Sequence, residues 1–146
     1  MIDALLPLDI SLLEQPLKRG READLDGVKS RIPIAADESA LCFTDLPGLV
    51  GRFDVVNIKL DKCGGLTEGL AMAYEARRLG LKVMVGNMVG TSLAMAPAFV
   101  LGQLCEVVDL DGPIFLAQDR APGMTYTDGA AWSGDDVWGA THADSA

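Results

Sequence analysis

Five short apolar runs in this chain each end in a charged or amide side chain: Glu14, Asp37, Lys59, Asn87, and the pair Asp109 and Asp111. A strand, a helix and two short loops fill about the length of chain between successive members, so the pattern predicts consecutive βα units feeding one parallel sheet. Each unit delivers a polar side chain to the same end of its strand. Where parallel strands close into barrels, that end gathers the reacting side chains. The chain has 146 residues, and a complete eight-unit barrel takes roughly 250. The expected architecture is therefore α/β, with about five parallel strands and intervening helices.

The first strand is expected over Ile10–Leu13, the second over Ile34–Asp37, the third over Asp54–Leu60, the fourth over Leu81–Gly86 and the fifth over Val107–Asp111. Alternation along a strand puts Ala35 and Asp37 on one face, and likewise Val55, Asn57 and Lys59 on one face against Val56, Ile58 and Leu60 on the other. Helices are expected over Glu22–Lys29, over Thr44–Gly51 despite Pro47, from Thr67 to Arg78, and from Thr91 or Ser92 to about Cys105. In the third of these, Leu70, Ala73, Tyr74 and the stem of Arg77 should form the buried stripe. From Pro113 onward the period is lost, and residues 127–146 read as an irregular tail, either a docking arm or partly disordered.

Twelve basic against 21 acidic side chains give a net charge of −9, which repels nucleic acid and anionic membranes. The apolar runs are all too short to span a bilayer, and Met1 is followed by no basic leader, so the expected location is the cytoplasm. Cys42, Cys63 and Cys105 lie at no metal-ligand spacing and read as buried or incidental thiols in a reducing compartment. His142, the sole histidine, sits in the irregular tail, which leaves no His-based catalysis. No phosphate-loop or dinucleotide motif is present.

Glu14 and Asp37, on neighbouring strand ends, supply the hard oxygens that Mg²⁺ requires. Each could instead cap a helix or pair with a lysine. Lys59, facing inward between apolar neighbours, can serve as a general base, or as the partner of Asp37 or Asp61. Lys62 is expected to face solvent. Asp109 and Asp111 repel one another unless a cation lies between them, which could be a substrate amine or a basic side chain. Gly64-Gly65 before a helix is a weak anion-site signal.

Taken together, LLEQPL, IPIAADES, DVVNIKLDKCGGLTEGL, MVGNMVGTS and VVDLDGP resemble the C-terminal half of the enolase superfamily, in its muconate-lactonizing subgroup, and within it the dipeptide epimerases acting on L-Ala-D/L-Glu. The likeness covers residues 1–126, taken as the partial barrel domain. It implies the C-terminal part of a modified (β/α)₇β barrel, with Mg²⁺ held by Glu14 and Asp37 and Lys59 as one of two acid/base lysines. It further implies Asn87, Asp109 and Asp111 as substrate contacts, with the acid pair on the dipeptide ammonium. The implied reaction is α-proton abstraction and return through a metal-stabilised enediolate. These residues contain no counterpart of the capping domain, the K-x-K strand with the second lysine, or the strand with a third metal carboxylate. The implied partners are a small dipeptide and either a second copy or the missing N-terminal half. A cycloisomerase, an o-succinylbenzoate synthase, an N-acylamino acid racemase or a non-catalytic half-barrel remain the alternatives.

Overall fold

The structure is a computed structural model that describes residues 2–138; His142 lies outside them. Five parallel strands pair in chain order: β1 (Leu13–Glu14), β2 (Ile34–Ala36), β3 (Val55–Ile58), β4 (Lys82–Val85) and β5 (Val107–Val108). This is the sequential order that right-handed βα crossovers produce. The described residues form four α-helices: α1 (Ile2–Leu5), α2 (Leu60–Cys63), α3 (Leu66–Arg78) and α4 (Ser92–Gly102).

The two faces of the sheet have different jobs. On one, Ile34, Ala36, Val56, Ile58, Val83 and Val85 pack with Met72, Ala73 and Ala76 of α3 and Met95 and Leu101 of α4 into the main core. On the other, Ala35, Val55 and Met84 form a smaller apolar layer flanked by Leu12 and Val107. Two residues further along the chain, on this same face, come Glu14, Asp37, Asn57, Gly86 and Asp109. A dry layer thus underlies a polar one. The opposite end of the sheet carries acids with a purely structural task, since Asp54 Oδ2 accepts from the Ile34 N–H and Glu106 Oε2 from the Val83 N–H, both at 2.9 Å.

Several local expectations are corrected. α3 begins from Gly65 rather than Thr67, and its buried residues are Gly69, Met72, Ala73 and Ala76, while Tyr74 is 64% exposed. A Cβ on Gly69 would lie 2.6 Å from Leu60 Cδ2, so glycine permits the close approach of α3 to α2. Glu22–Lys29 reduces to a 3₁₀ turn at Glu22–Leu25, and the helix around Pro47 is a 3₁₀ segment over Phe43–Leu49. β5 stops at Val108, although the Asp109 N–H still bonds to Val85 O at 2.9 Å. Beyond Pro113 the chain forms an antiparallel hairpin of β6 (Thr125–Thr127) and β7 (Ala130–Trp132), and Val137 is buried in the main core.

At the two outer strands, β1 and β5, the sheet stops with one side of each unpaired by any other described strand. No described helix is long and apolar enough to cross a membrane.

Candidate active site

At the C-terminal ends of β1, β2 and β3 lies a cavity of about 580 Å³ lined by Glu14, Gln15, Asp37 and Lys59, with Lys18 and Arg19 at its margin. Lys59 Nζ donates to Asp37 Oδ2 at 2.7 Å. Lys62 donates to Asp37 Oδ1, to the Asp37 carbonyl at 2.7 Å and to the Asn57 carbonyl at 3.3 Å. The expectation of a solvent-facing Lys62 is overturned: its side chain is 7% exposed. α2 turns the chain back at once after β3, and that turn carries Lys62 under the strand ends. Lys59 and Lys62, three residues apart at a helix start, lie on one side, and this spacing was the available signal.

The two lysines share one carboxylate but respond oppositely. Burial alone would lower the Lys59 ammonium, yet the hydrogen bond and charge of Asp37 outweigh it and hold Lys59 above the usual lysine range. For Lys62, burial prevails and the group sits below that range. Burial would raise Asp37, but its two lysine contacts keep the carboxyl below its ordinary value. Glu14 is raised, first by partial loss of water, against the Asn57 hydrogen bond, and further by the neighbouring Asp37 charge. Two carboxylates standing close enough to repel are what a divalent cation would reconcile.

Asn57 links the pair to the sheet. Its Nδ2 donates to Glu14 Oε1 at 2.6 Å, and its Oδ1 is buried with no hydrogen-bond partner among the described residues. A Cβ on Gly86 would stand 2.7 Å from that Oδ1. The absence of a side chain at the end of β4 therefore makes the space in which the Asn57 amide lies.

The remaining predicted residues sit apart from this cluster. Asn87 turns its Nδ2 onto Met95 Sδ at 2.9 Å. Asp109 and Asp111 line a second cavity of about 550 Å³ beside β5, together with Val108 and Tyr126. Partial enclosure and then repulsion from Asp111 push the Asp109 carboxyl up, while the Lys59 charge pulls it down. Asp109 thus feels the same ammonium as Asp37.

A residue the sequence did not single out ties the loops together. Gln15 Oε1 accepts from the Asp37 N–H at 2.8 Å and from the Ser39 N–H at 3.2 Å, and Gln15 Nε2 donates to Ser39 Oγ at 2.9 Å. Ser39 Oγ donates in turn to Glu22 Oε1 at 2.6 Å.

The donor set suits one small hard cation poorly bound by protein alone. Two carboxylates beside an open cavity leave most coordination positions to water or substrate, the usual condition for Mg²⁺. Among the described residues, no three His, Cys, Asp or Glu side chains gather to hold a metal by themselves. Cys63 and Cys105 offer no alternative chemistry, since burial pushes Cys105 up to about 12 and raises Cys63, and a protonated thiol is a poor nucleophile.

Residues 1–130 match the family described as Enolase C-terminal domain-like. An N-acetyl-D-glutamate racemase of a Pseudoalteromonas species is 46% identical over 142 residues, 97% of this chain and 45% of the relative. The L-Ala-D/L-Glu epimerase of Escherichia coli (strain K12) is 46% identical over 125 residues, 86% of this chain and 39% of the relative. Among solved structures, an enolase family member from Agrobacterium tumefaciens with homology to dipeptide epimerases, holding sodium and L-Ala-L-Glu, superposes with a TM-score of 0.90. It is 48% identical, covering 94% of this chain and 43% of that one. The chain therefore spans less than half the length of the relatives it matches.

Proposed function

Because the chain belongs to the Enolase C-terminal domain-like family, we propose that it is the metal- and base-bearing portion of a Mg²⁺-dependent epimerase acting on dipeptides of the L-Ala-D/L-Glu type. The observation that carries this reading is the convergence of Lys59, Asp37 and Glu14 on one cavity. Glu14 and Asp37 would hold the Mg²⁺, whose charge, when bound, draws electron density from the substrate carboxylate and acidifies the adjacent C–H.

Lys59 performs the proton step. Only its neutral amine can accept the α-proton, so Asp37 must loosen its hold on the ammonium before abstraction begins. Return of a proton by the same ammonium, on the same face, only regenerates the starting stereocentre. Inversion needs a second base on the far face, and Lys62 does not supply it, being turned onto Asp37 and the Asn57 carbonyl. That base is assigned to the remainder of the protein. Asp109 and Asp111 hold the dipeptide ammonium, which relieves their mutual repulsion, and Asn87 contacts the substrate from the end of β4.

The reading is tested by joining this chain to the N-terminal portion of a relative and following exchange of the L-Ala-L-Glu α-proton into D₂O. Exchange dependent on both Mg²⁺ and Lys59 is expected. A reassembled protein that binds Mg²⁺ but exchanges no α-proton from any dipeptide ends the assignment.

One observation favours a second reading. One relative, aligned over 97% of this chain, is a racemase of an N-acetylated amino acid, a substrate without an ammonium group. Comparing exchange from L-Ala-L-Glu and N-acetylglutamate separates the two. A non-catalytic half-barrel pairing through the edges of β1 and β5 would instead run as a Mg²⁺-indifferent dimer in size-exclusion chromatography. The cytoplasm is the proposed location.

A further inference from the structure

We infer that Gln15 is the positioning residue that sets where the Asp37 carboxylate stands relative to Glu14, and so governs how well this pair captures a divalent cation. The inference rests on the proposed metal role of those two acids.

The backbone at Gln15 is the first ground. Its φ is +38°, in the left-handed region that side chains make costly and glycine adopts freely. A residue chosen for backbone comfort would be glycine. Glutamine occupies the position, and its side chain uses both ends of its amide.

The contacts are the second ground. The Gln15 N–H bonds to Ala35 O at 2.9 Å, continuing the β1–β2 ladder past Glu14. Oε1 then accepts from the Asp37 and Ser39 N–H groups, which follow β2. Nε2 donates to Leu17 O at 2.7 Å and to Ser39 Oγ at 2.9 Å. One side chain therefore joins the loop leaving β1 to the loop leaving β2, immediately beside one carboxylate and through the main chain of the other. Glu22 secures the far side of this strut, accepting from Ser39 Oγ and from the Gly20 N–H at 2.9 Å.

The lysines do not duplicate this. Lys59 and Lys62 grip the Asp37 side chain and, for Lys62, its carbonyl; neither reaches the Asp37 N–H. Removing Gln15 leaves Asp37 charged and held at its carbonyl but takes away the acceptor of its N–H.

Gln15→Gly tests this, because it relieves the left-handed backbone while deleting the side chain. In the full chain, amide hydrogen exchange should accelerate at least tenfold at Asp37 and Ser39, and Mg²⁺ affinity by calorimetry should fall at least tenfold, at a temperature where both proteins are folded. Gln15→Glu, which keeps an acceptor for the two N–H groups, should preserve their protection. A folded Gln15→Gly protein with wild-type Mg²⁺ affinity overturns the inference, as does loss of Asp37 amide protection in Gln15→Glu. A wild-type chain that binds no Mg²⁺ instead sinks the metal reading itself, and the inference with it.

Discussion

Lys59 Nζ stands 2.7 Å from Asp37 Oδ2, so the proposed base and a proposed cation ligand hold each other. Each restrains the other's chemistry: the carboxylate keeps the amine protonated, and the ammonium occupies an oxygen that a cation needs. If Glu14 and Asp37 hold a cation, Asp37 Oδ2 would be shared between it and the Lys59 ammonium, and the amine would be held less tightly.

The pH dependence follows with a definite sign. Lys59 is raised by Asp37 and only its neutral form accepts a proton, so the α-proton exchange rate of the reassembled enzyme should climb with pH toward the alkaline side. Saturating Mg²⁺ should move the climb to lower pH. Lys59→Met should cut exchange by at least about 100-fold, read by proton NMR in D₂O. A pH profile unmoved by Mg²⁺ contradicts this sharing.

Replacing Lys62 addresses stability. Lys62→Met leaves Asp37 with Lys59 but removes the ammonium from Asp37 Oδ1 and from the Asp37 and Asn57 carbonyls, the Asp37 carbonyl keeping the Ala40 N–H at 3.0 Å, and charged hydrogen bonds of this kind contribute about 1.5–3 kcal/mol. Urea unfolding should show a loss in that range. A loss below about 0.5 kcal/mol would mean that the buried contact is energetically neutral.

Gly86→Ala places a methyl 2.7 Å from Asn57 Oδ1 and 2.8 Å from Nδ2, on a side chain that is already buried. Overpacking of this kind costs about 1–3 kcal/mol, and the displaced amide can no longer donate to Glu14. Thermal denaturation should register the first effect and weakened Mg²⁺ binding the second. Wild-type values for both would show that Asn57 can move freely.

Asp109→Asn and Asp111→Asn discriminate between substrates. Each should weaken L-Ala-L-Glu in the reassembled enzyme, raising KM about tenfold, a loss of about 1.4 kcal/mol, and leave N-acetylglutamate unaffected. Equal effects on both substrates would detach the acid pair from ammonium recognition.

Acid stability turns on Glu22, whose carboxyl is lowered to about 2 by the Ser39 hydroxyl and the Gly20 N–H. A carboxylate depressed on folding stabilises above its ordinary value of 4.5, and that contribution fades as pH falls from there toward 2. Glu22→Gln should flatten the stability profile across this window. An unchanged slope would show that the Ser39 contact does not persist in solution.

The strand ends were legible because the period-2 pattern fixes which residues share a face: Ala35 with Asp37, and Val55 with Asn57 and Lys59, occupy the faces that alternation assigns. Helix detail was less legible. Tyr74 fits a helical stripe, yet the chain buries Met72 and Ala76, because Gly69 lets α3 approach along a different line. Gln15 was invisible as a positioning group, since nothing local announces a left-handed glutamine bonded across 22 and 24 residues. The hairpin at Thr125–Trp132 escaped because each strand spans three residues, too few to establish a period.

The brevity of β1 and β5 governs how this molecule meets its neighbours. Each outer strand is only two residues long, so it offers an incoming ribbon scarcely two rungs to climb, and short borders of this sort discourage runaway fibrillar growth. Any surface that docks on these rims must therefore be recognised by more than the hydrogen bonds they offer.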